Sequence, residues 1–486
     1  MKLITDIPEF YNDISEEIRL FINAPEIIAD GREDESGLVL EVYFTPGASL
    51  STLAVFRDGE RVFEYVHESE TVFGSEVVFK RYAKRNVKTA VFRCLRKAFP
   101  EKLMPWGSLT GIRPTRLLRE LEATEGREEA LRLMREEFGV TEEKLALADE
   151  INAVQRHVLS SAKPNETGVY IGVPFCRTRC LYCSFASEIR TKKTDMAGYL
   201  NALVRDIGLG SKMARELCLT PRSFYFGGGT PTVLTEEELD MLLDRLCEAY
   251  DTAGKEFTVE AGRPDTITEG KLRIMKAHGV TRVSVNPQTM CDRTLKLVGR
   301  SHSAREIVDS FILVRSMGFD SINMDIIAGL PNETELDMEA TLDAIYDLDP
   351  DCLTVHTLAI KRASRLKEHM AEYEMPSVET VERMVGMGLK TARQMGMKPY
   401  YMYRQKYMAG NLENVGYSKP GHICVYNIDM MEDGMSIIAH GAGAMTKRVW
   451  DDGGRIERVP NNKDIATYIE KINETNAERV RLFNEP

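Results

Sequence analysis

Between residues 165 and 365, apolar runs of strand length alternate with segments of helical period. The strand-like runs fall at Val169–Val173, Ser223–Phe226, Phe257–Glu260, Arg282–Asn286, Ile322–Ala328 and Leu353–Leu358. Each is followed by a helical pattern, such as Thr235–Tyr250 or Ala304–Met317. Six βα units in series imply a parallel sheet with right-handed crossovers, a (β/α)8 barrel lacking two units. Upstream, Leu38–Phe44, Thr52–Phe56 and Arg61–Val66 alternate as strands, with Asp58-Gly59 as a two-residue turn between the last two. A helix is predicted over Ser75–Phe99, and helical sequence of mixed charge runs from Pro114 to about Ala162, where Lys163-Pro164-Asn165 breaks it. Past Pro399, Tyr400, Tyr401, Tyr403 and Tyr407 form an aromatic, strand-like stretch that reads either as core or as a lining for a flat substrate. An amphipathic helix is predicted near Asn462–Phe483. The pattern gives an α/β protein in three parts: an N-terminal α+β extension over 1–164, a (β/α)6 core over 165–365 and a C-terminal α+β region over 366–486.

Composition narrows the class. The 486 residues are 43% hydrophobic and 28% charged, enough for a large core and unlike a disordered chain. No apolar run reaches the ~18 residues of a membrane span, and Met1–Asp6 carries no signal peptide. Nine cysteines without a regular framework fit a reducing cytoplasm, so the expected location is cytoplasmic. The net charge of −12 argues against nucleic acid as a partner. Against that balance, the Ser75–Phe99 segment is basic, with Lys80, Arg81, Lys84, Arg85, Lys88, Arg93, Arg96 and Lys97. It reads either as an anion-binding face or as a solvated one. The Gly- and Pro-punctuated segment Pro105–Arg116 holds one of two tryptophans and two arginines.

The chemistry gathers at strand ends. Pro174 stops the first barrel strand, and Cys176, Cys180 and Cys183 follow at spacing C-x3-C-x2-C. A sulfur-only donor set suits zinc, copper(I) or an iron–sulfur cluster. Structural zinc wants a fourth Cys or His at short spacing, and the nearest, His157 and Cys218, sit in helical segments. Three thiolates on a [4Fe–4S] cluster leave one iron open. After the second strand comes Gly227-Gly228-Gly229-Thr230-Pro231-Thr232, whose glycines permit positive φ and close approach of backbone to a ligand. Glu260 ends the third strand, Gln288 and then Arg300 follow the fourth, Asp325 lies on the fifth, and His356 and Ala359 close the sixth. In barrels such groups converge on one rim, where the chemistry sits.

The cysteine motif after a strand, with Tyr182 before its last cysteine, resembles the signature of radical S-adenosylmethionine (SAM) enzymes. Tyr170-Ile171, Pro174-Phe175-Cys176, Gly227–Thr232, Gly299-Arg300-Ser301-His302 and Asp325–Pro331 more closely resemble the oxygen-independent coproporphyrinogen III oxidase (coproporphyrinogen dehydrogenase) family, which includes haem chaperones. The resemblance covers 165–365 and continues more loosely through Tyr407–Lys447, and the N-terminal region resembles a bacterial form with such an extension. It implies a partial (β/α)6 TIM-like radical SAM barrel, with a [4Fe–4S] cluster on Cys176, Cys180 and Cys183 and its open iron on SAM. It places SAM contacts at Tyr170, Tyr182, Gly228, Gly229, Thr230, Glu260, Gln288, Arg300, Asp325 and Ala359. It further implies a 5′-deoxyadenosyl radical, a tetrapyrrole substrate and an electron donor of flavodoxin or ferredoxin type. The reaction would be oxidative decarboxylation of two propionates of coproporphyrinogen III to vinyls. Propionates want cations, for which Arg113, Arg116, Arg362 and Arg404 are candidates. The chain departs from the family pattern at Phe185, where the dehydrogenases have a cysteine and the haem chaperones a phenylalanine. It also departs at Gly172, usually His, and at Asn286-Pro287-Gln288, usually Gly-Val-Gln. A haem-binding chaperone is the alternative reading, and the basic helix raises another anionic substrate as a third.

Overall fold

A computed structural model describes residues 1–485 apart from 23–26, 29–36, 71–75, 112, 186, 362, 406, 407 and 451–453, and apart from the side chain of Val77. Contacts divide the chain into two units, residues 1–149 with 404–406 and 410–412, and the remainder.

The first unit is built on a four-stranded sheet of β1 (Lys2–Thr5), β2 (Leu38–Thr45), β3 (Ser49–Asp58) and β4 (Arg61–Glu70), in that order. Asp58 pairs with Arg61, so the two-residue turn is Gly59-Glu60, one residue later than expected. Gly59 has φ +60°, and a glycine at the first turn position is what a type II′ hairpin requires. The helices Tyr11–Phe21 and Glu76–Ala98 supply Ile14, Ile18, Val91 and Leu95 to a core shared with Leu40, Val42 and Phe56. The basic helix is neither an open anion site nor a bare solvated face. Lys84 pairs with Asp13 at 3.1 Å, Lys88 with Glu17 at 3.3 Å and Arg85 with Glu120 at 3.8 Å. Lys97 donates to the Glu64 carbonyl at 2.8 Å, and Arg93 and Arg96 bind the carbonyls of Glu136 and Lys102. These cations tie the unit together.

Trp106 is fully buried, and the Arg404 guanidinium lies 5.3 Å from its ring centroid while donating to the carbonyls of Leu109 and Asn411. Arg404 is therefore corrected from a propionate ligand to an anchor of this loop. Arg116 donates to Glu120 at 2.8 Å, and Arg362 lies outside the described residues.

The second unit carries an eleven-stranded sheet. Its strands in chain order are β5 (Glu166–Val173), β6 (Thr220–Gly228), β7 (Glu256–Glu260), β8 (Arg282–Ser284), β9 (Ser321–Ala328) and β10 (Cys352–Thr357), then β11 (Lys398–Tyr403), β12 (Asn414–Ser418), β13 (Ser436–His440), β14 (Met445–Val449) and β15 (Ile456–Pro460). Their order is β11-β12-β10-β9-β8-β7-β6-β5-β13-β14-β15, and the seven from β10 to β13 run parallel. The stretch beyond residue 366 thus adds antiparallel strands at one edge and a seventh parallel strand beside β5 at the other. The expected six strands match to within a few residues, and so do the helices Glu236–Ala249 and Ala304–Ser316, each opened by a capping box on Thr235 or Ser303.

Parallel strands covered on both faces usually read as unbroken apolar runs. Here they alternate because the inside of the barrel is polar and aromatic. Val169, Ile171, Phe224, Phe226, Phe257 and Val259 are buried apolar positions, and Phe224 meets Tyr250 at the end of helix Glu236–Ala249. The intervening Tyr170 and Tyr225 stack with Tyr426, Tyr225 and Tyr426 at 4.6 Å between centroids. Tyr400 and Tyr401 are buried, as the core reading expects, while Tyr407 lies outside the described residues.

A buried polar knot fixes the C-terminal helix Ile465–Asn484 to this sheet. Asp206, on helix Met196–Glu216, accepts from Arg479 at 2.5 Å, Tyr468 at 2.8 Å and the Gly441 N–H at 3.0 Å, and lies 3.2 Å from His440 Nδ1. Burial works to raise the Asp206 carboxyl, but Arg479 and His440 prevail and hold it far below the usual range. Among the described residues no helix is long and apolar enough to cross a membrane.

Candidate active site at the barrel rim

The cysteine loop leaves β5 at Val173 and is stitched to its neighbours by backbone bonds. Phe175–Cys176 pairs with Glu188–Ile189, and the Leu181 N–H donates to the Val298 carbonyl at 2.9 Å. Cys176, Cys180 and Cys183 are free thiols, all half-buried. Burial pushes the Cys176 and Cys183 thiols up, each feels the charge of Cys180, and the Thr230 hydroxyl reaches Cys176 Sγ at 3.6 Å. Among the described residues no three His, Cys, Asp or Glu groups are arranged to hold a single metal ion. His157 lies in the helix Glu142–Ser160, and Cys218 is exposed. Three thiols with no imidazole or carboxylate among them fit a cluster whose fourth iron is left to another ligand.

The glycine segment runs beneath this loop. The N–H groups of Gly229 and Thr230 donate to the carbonyls of Val173 and Phe175, each at 2.8 Å. A Cβ at Gly229 would stand 2.4 Å from the Phe175 carbonyl oxygen, and Gly228 has φ +109°. At Gly229 the close approach is thus to the chain's own cysteine strand.

Across the rim, two carboxyls face each other electrostatically in unlike states. Burial pushes Glu260 up to about 7, although Tyr225 donates to it at 2.6 Å and the Gly228 N–H also binds it. Asp325 is also raised by burial, yet His356, Asn323 and Thr354 win and hold it below its ordinary value. Asn323 donates to Asp325 at 2.7 Å, His356 Nε2 lies 3.7 Å away, and Tyr403 bonds His356 Nδ1 at 3.2 Å. Gln288 adopts φ +66° and exchanges backbone bonds of 2.9 Å with Asp325 and Ile327. Such a left-handed conformation in a non-glycine residue is costly and gathers at functional sites.

Arg300 stands on the cysteine side of the rim. Burial works against its charge, but it bonds the Tyr182 hydroxyl and the Cys180 thiol, and it donates to the Asn286 carbonyl at 2.5 Å. Among the described residues its Nε is buried without a partner, as are Asn286 Oδ1 and Ser284 Oγ on the same strand end. Orphaned polar atoms at a rim are what a polar ligand would satisfy. The structure therefore brings Cys176, Cys180, Cys183, Thr230, Tyr182 and Arg300 into one network, and Tyr170, Glu260, Asp325 and Gln288 into another. Ala359, two residues past β10, is bridged through its backbone to Met408.

Sequence reasoning missed Tyr225 as the partner of Glu260. Its alternation with Phe224 and Phe226 was the available signal. The stacking of Tyr426 had none, since it arrives from a helix 201 residues later (426 minus 225). One departure acquires a physical reason. A Cβ at Gly172 would already lie 3.3 Å from both the His440 carbonyl and the Tyr170 ring, so a histidine would be crowded there. Phe185 is 68% exposed beside Cys183.

The Radical SAM superfamily matches residues 170–345. An oxygen-independent coproporphyrinogen-III oxidase-like protein, HemZ of Bacillus subtilis (strain 168), is 36% identical over 433 residues, 86% of each chain. The heme chaperone HemW of the same organism is 34% identical over 195 residues, 40% of this chain and 50% of that protein. The solved structure of Escherichia coli coproporphyrinogen III oxidase (HemN), described as a radical SAM enzyme, is alike in fold, with TM-score 0.53 at 20% identity over 67% of this chain and 73% of that one.

Proposed function

Because this chain belongs to the radical SAM superfamily, among the oxygen-independent coproporphyrinogen-III oxidase-like proteins, we propose that it decarboxylates two propionates of coproporphyrinogen III oxidatively, giving protoporphyrinogen IX. Enzymes of the family use a [4Fe–4S] cluster and SAM. Here Cys176, Cys180 and Cys183 would hold the cluster, with the Thr230 hydroxyl bonded to Cys176 Sγ. Arg300, whose Nε has no partner among the described residues, would take the SAM carboxylate, while Glu260 and Asp325 would serve its ammonium and ribose hydroxyls. When bound, cluster and SAM supply a 5′-deoxyadenosyl radical that takes one hydrogen atom from the substrate. Removing that hydrogen from a propionate β-carbon leaves a substrate radical, and loss of CO2 with one electron passed to a separate one-electron acceptor leaves a vinyl group. A flavodoxin- or ferredoxin-type protein would deliver the reducing electron.

The observation that carries this reading is the extent of the likeness. The oxidase-like relative aligns over 86% of this chain, whereas the heme chaperones of Bacillus subtilis and Haemophilus influenzae align over 40% and 62% of it. The exposed Phe185 favours a second reading, haem carriage, because an exposed apolar ring two residues past Cys183 offers a face to a flat macrocycle. An anaerobic assay with reconstituted cluster, SAM, reductant and coproporphyrinogen III decides between them. Vinyl product with matching deoxyadenosine and CO2 is expected. Deoxyadenosine without porphyrin product would discard the substrate. Stable haem binding without either product would favour the chaperone.

A further inference from the structure

Arg263 lies three residues past β7, in Ala261-Gly262-Arg263-Pro264-Asp265, and is 3% exposed. Its guanidinium is used in several directions at once. Nε and Nη2 hold the Asp265 carboxylate at 3.0 and 3.3 Å, and Nη2 also reaches Ser301 Oγ at 3.4 Å. Nη1 is left for Thr178, which it meets at the hydroxyl (2.7 Å) and at the carbonyl (3.3 Å). Thr178 sits between Cys176 and Cys180, and its own hydroxyl donates to the Gly299 carbonyl at 2.7 Å.

One buried side chain therefore ties the first half of the cysteine loop to the segments that follow β7 and β8. Other charged groups surround the knot. Arg177 donates to the Asp265 carbonyl at 2.7 Å, His302 Nδ1 lies 3.6 Å from the Asp265 carboxylate, and Arg300 bears on His302. A lysine could not make this fork, since its ammonium is a point charge without the planar set of donors.

We infer that Arg263 is a positioning residue, clamping the Cys176–Cys180 segment through Thr178 and fixing a positive charge beside the cluster. The inference rests on the reading that these cysteines hold the cluster. Arg263→Lys keeps the charge and loses the fork, Arg263→Gln loses both, and Thr178→Val removes the hydroxyl from the opposite side. In the full chain without cluster, amide exchange across residues 177–182 should quicken about tenfold in all three variants, the loss of one charge-assisted hydrogen bond. Exchange in the barrel helices should stay unchanged. With cluster reconstituted, iron should leave to a chelator about tenfold faster in each.

Only Arg263→Gln should also move the cluster's reduction potential, downward, because reduction adds negative charge that the arginine no longer offsets. A tenfold change in that one-electron equilibrium corresponds to 59 mV. Thr178→Ser should restore loop exchange. The inference is overturned if loop exchange and iron release in Arg263→Lys and Thr178→Val match wild type, or if exchange rises equally throughout the barrel. Should Arg263→Gln not fold, the Thr178 pair still decides. If the wild-type chain takes up no cluster, the reading of the cysteines fails, while loop exchange in the cluster-free chain still judges the clamp.

Discussion

Glu260 and Asp325 show how burial and partners push two like groups apart. Glu260, pushed up to about 7, is largely protonated below neutrality, while Asp325 is held ionised by His356 and Asn323. If Glu260 serves the ammonium of SAM, binding selects its ionised form. Below about pH 7 each unit of acidification should then weaken SAM affinity about tenfold, since the proton must leave first. Above that value the dependence should vanish. Glu260→Gln keeps an oxygen for the Tyr225 hydroxyl and cannot ionise, so its weaker affinity should be flat across the same range. Titration calorimetry between pH 5.5 and 8.5, on the reconstituted protein, checks both slopes; an equally steep wild-type-like slope in the variant would remove Glu260 from the role. That Glu260 and Asp325 come together was legible in the sequence because parallel barrel strands end on one rim. Arg263 was not, because its meaning comes from Thr178, 85 residues away, and no local pattern marks that pairing.

At the scale of elements, the six barrel strands were legible because their apolar alternation is regular and each is followed by a helix. Ser436–His440 was missed as the seventh parallel strand since no βα period announces it and its partner β5 lies far upstream. What holds it is the knot on Asp206, which gathers Arg479, Tyr468, Gly441 and His440. Breaking a buried ion pair from one side costs about 3–5 kcal/mol. Asp206→Asn should lower unfolding free energy by that order, as read by anaerobic denaturant titration. The pH sign follows from the direction of the shift. A carboxyl held below its unfolded value contributes stability above pH ~4, and that stability is lost as pH falls further. His440, lowered by burial, acts in the same direction below its ordinary pKa of 6.5. The variant should therefore lose less stability on acidification than wild type.

Across the whole molecule, the two units divide the chemistry unevenly. All ten residues assigned to SAM and all three cysteines belong to the second unit, whereas Arg113 and Arg116 belong to the first. The first unit has its own core between sheet and helices, and its basic helix is largely spent on internal pairs rather than on an outside anion. A sequence reading could count those cations but not see where their partners lay, because Asp13, Glu17 and Glu120 come from other elements. Cofactor chemistry and substrate recognition should consequently separate on truncation. A chain beginning at Thr141, so that helix Glu142–Ser160 stays whole, retains every rim group. It should assemble the cluster and cleave SAM without substrate at a rate within about threefold of the full chain, while porphyrin turnover falls at least tenfold, or about 1.4 kcal/mol of transition-state stabilisation. Arg404 loses Trp106 and the Leu109 carbonyl in this cut, so a modest drop in melting temperature is part of the expectation. Full porphyrin turnover by the shortened chain would assign the N-terminal unit no part in the reaction. Loss of SAM cleavage along with turnover would instead show that SAM cleavage, too, depends on the first unit.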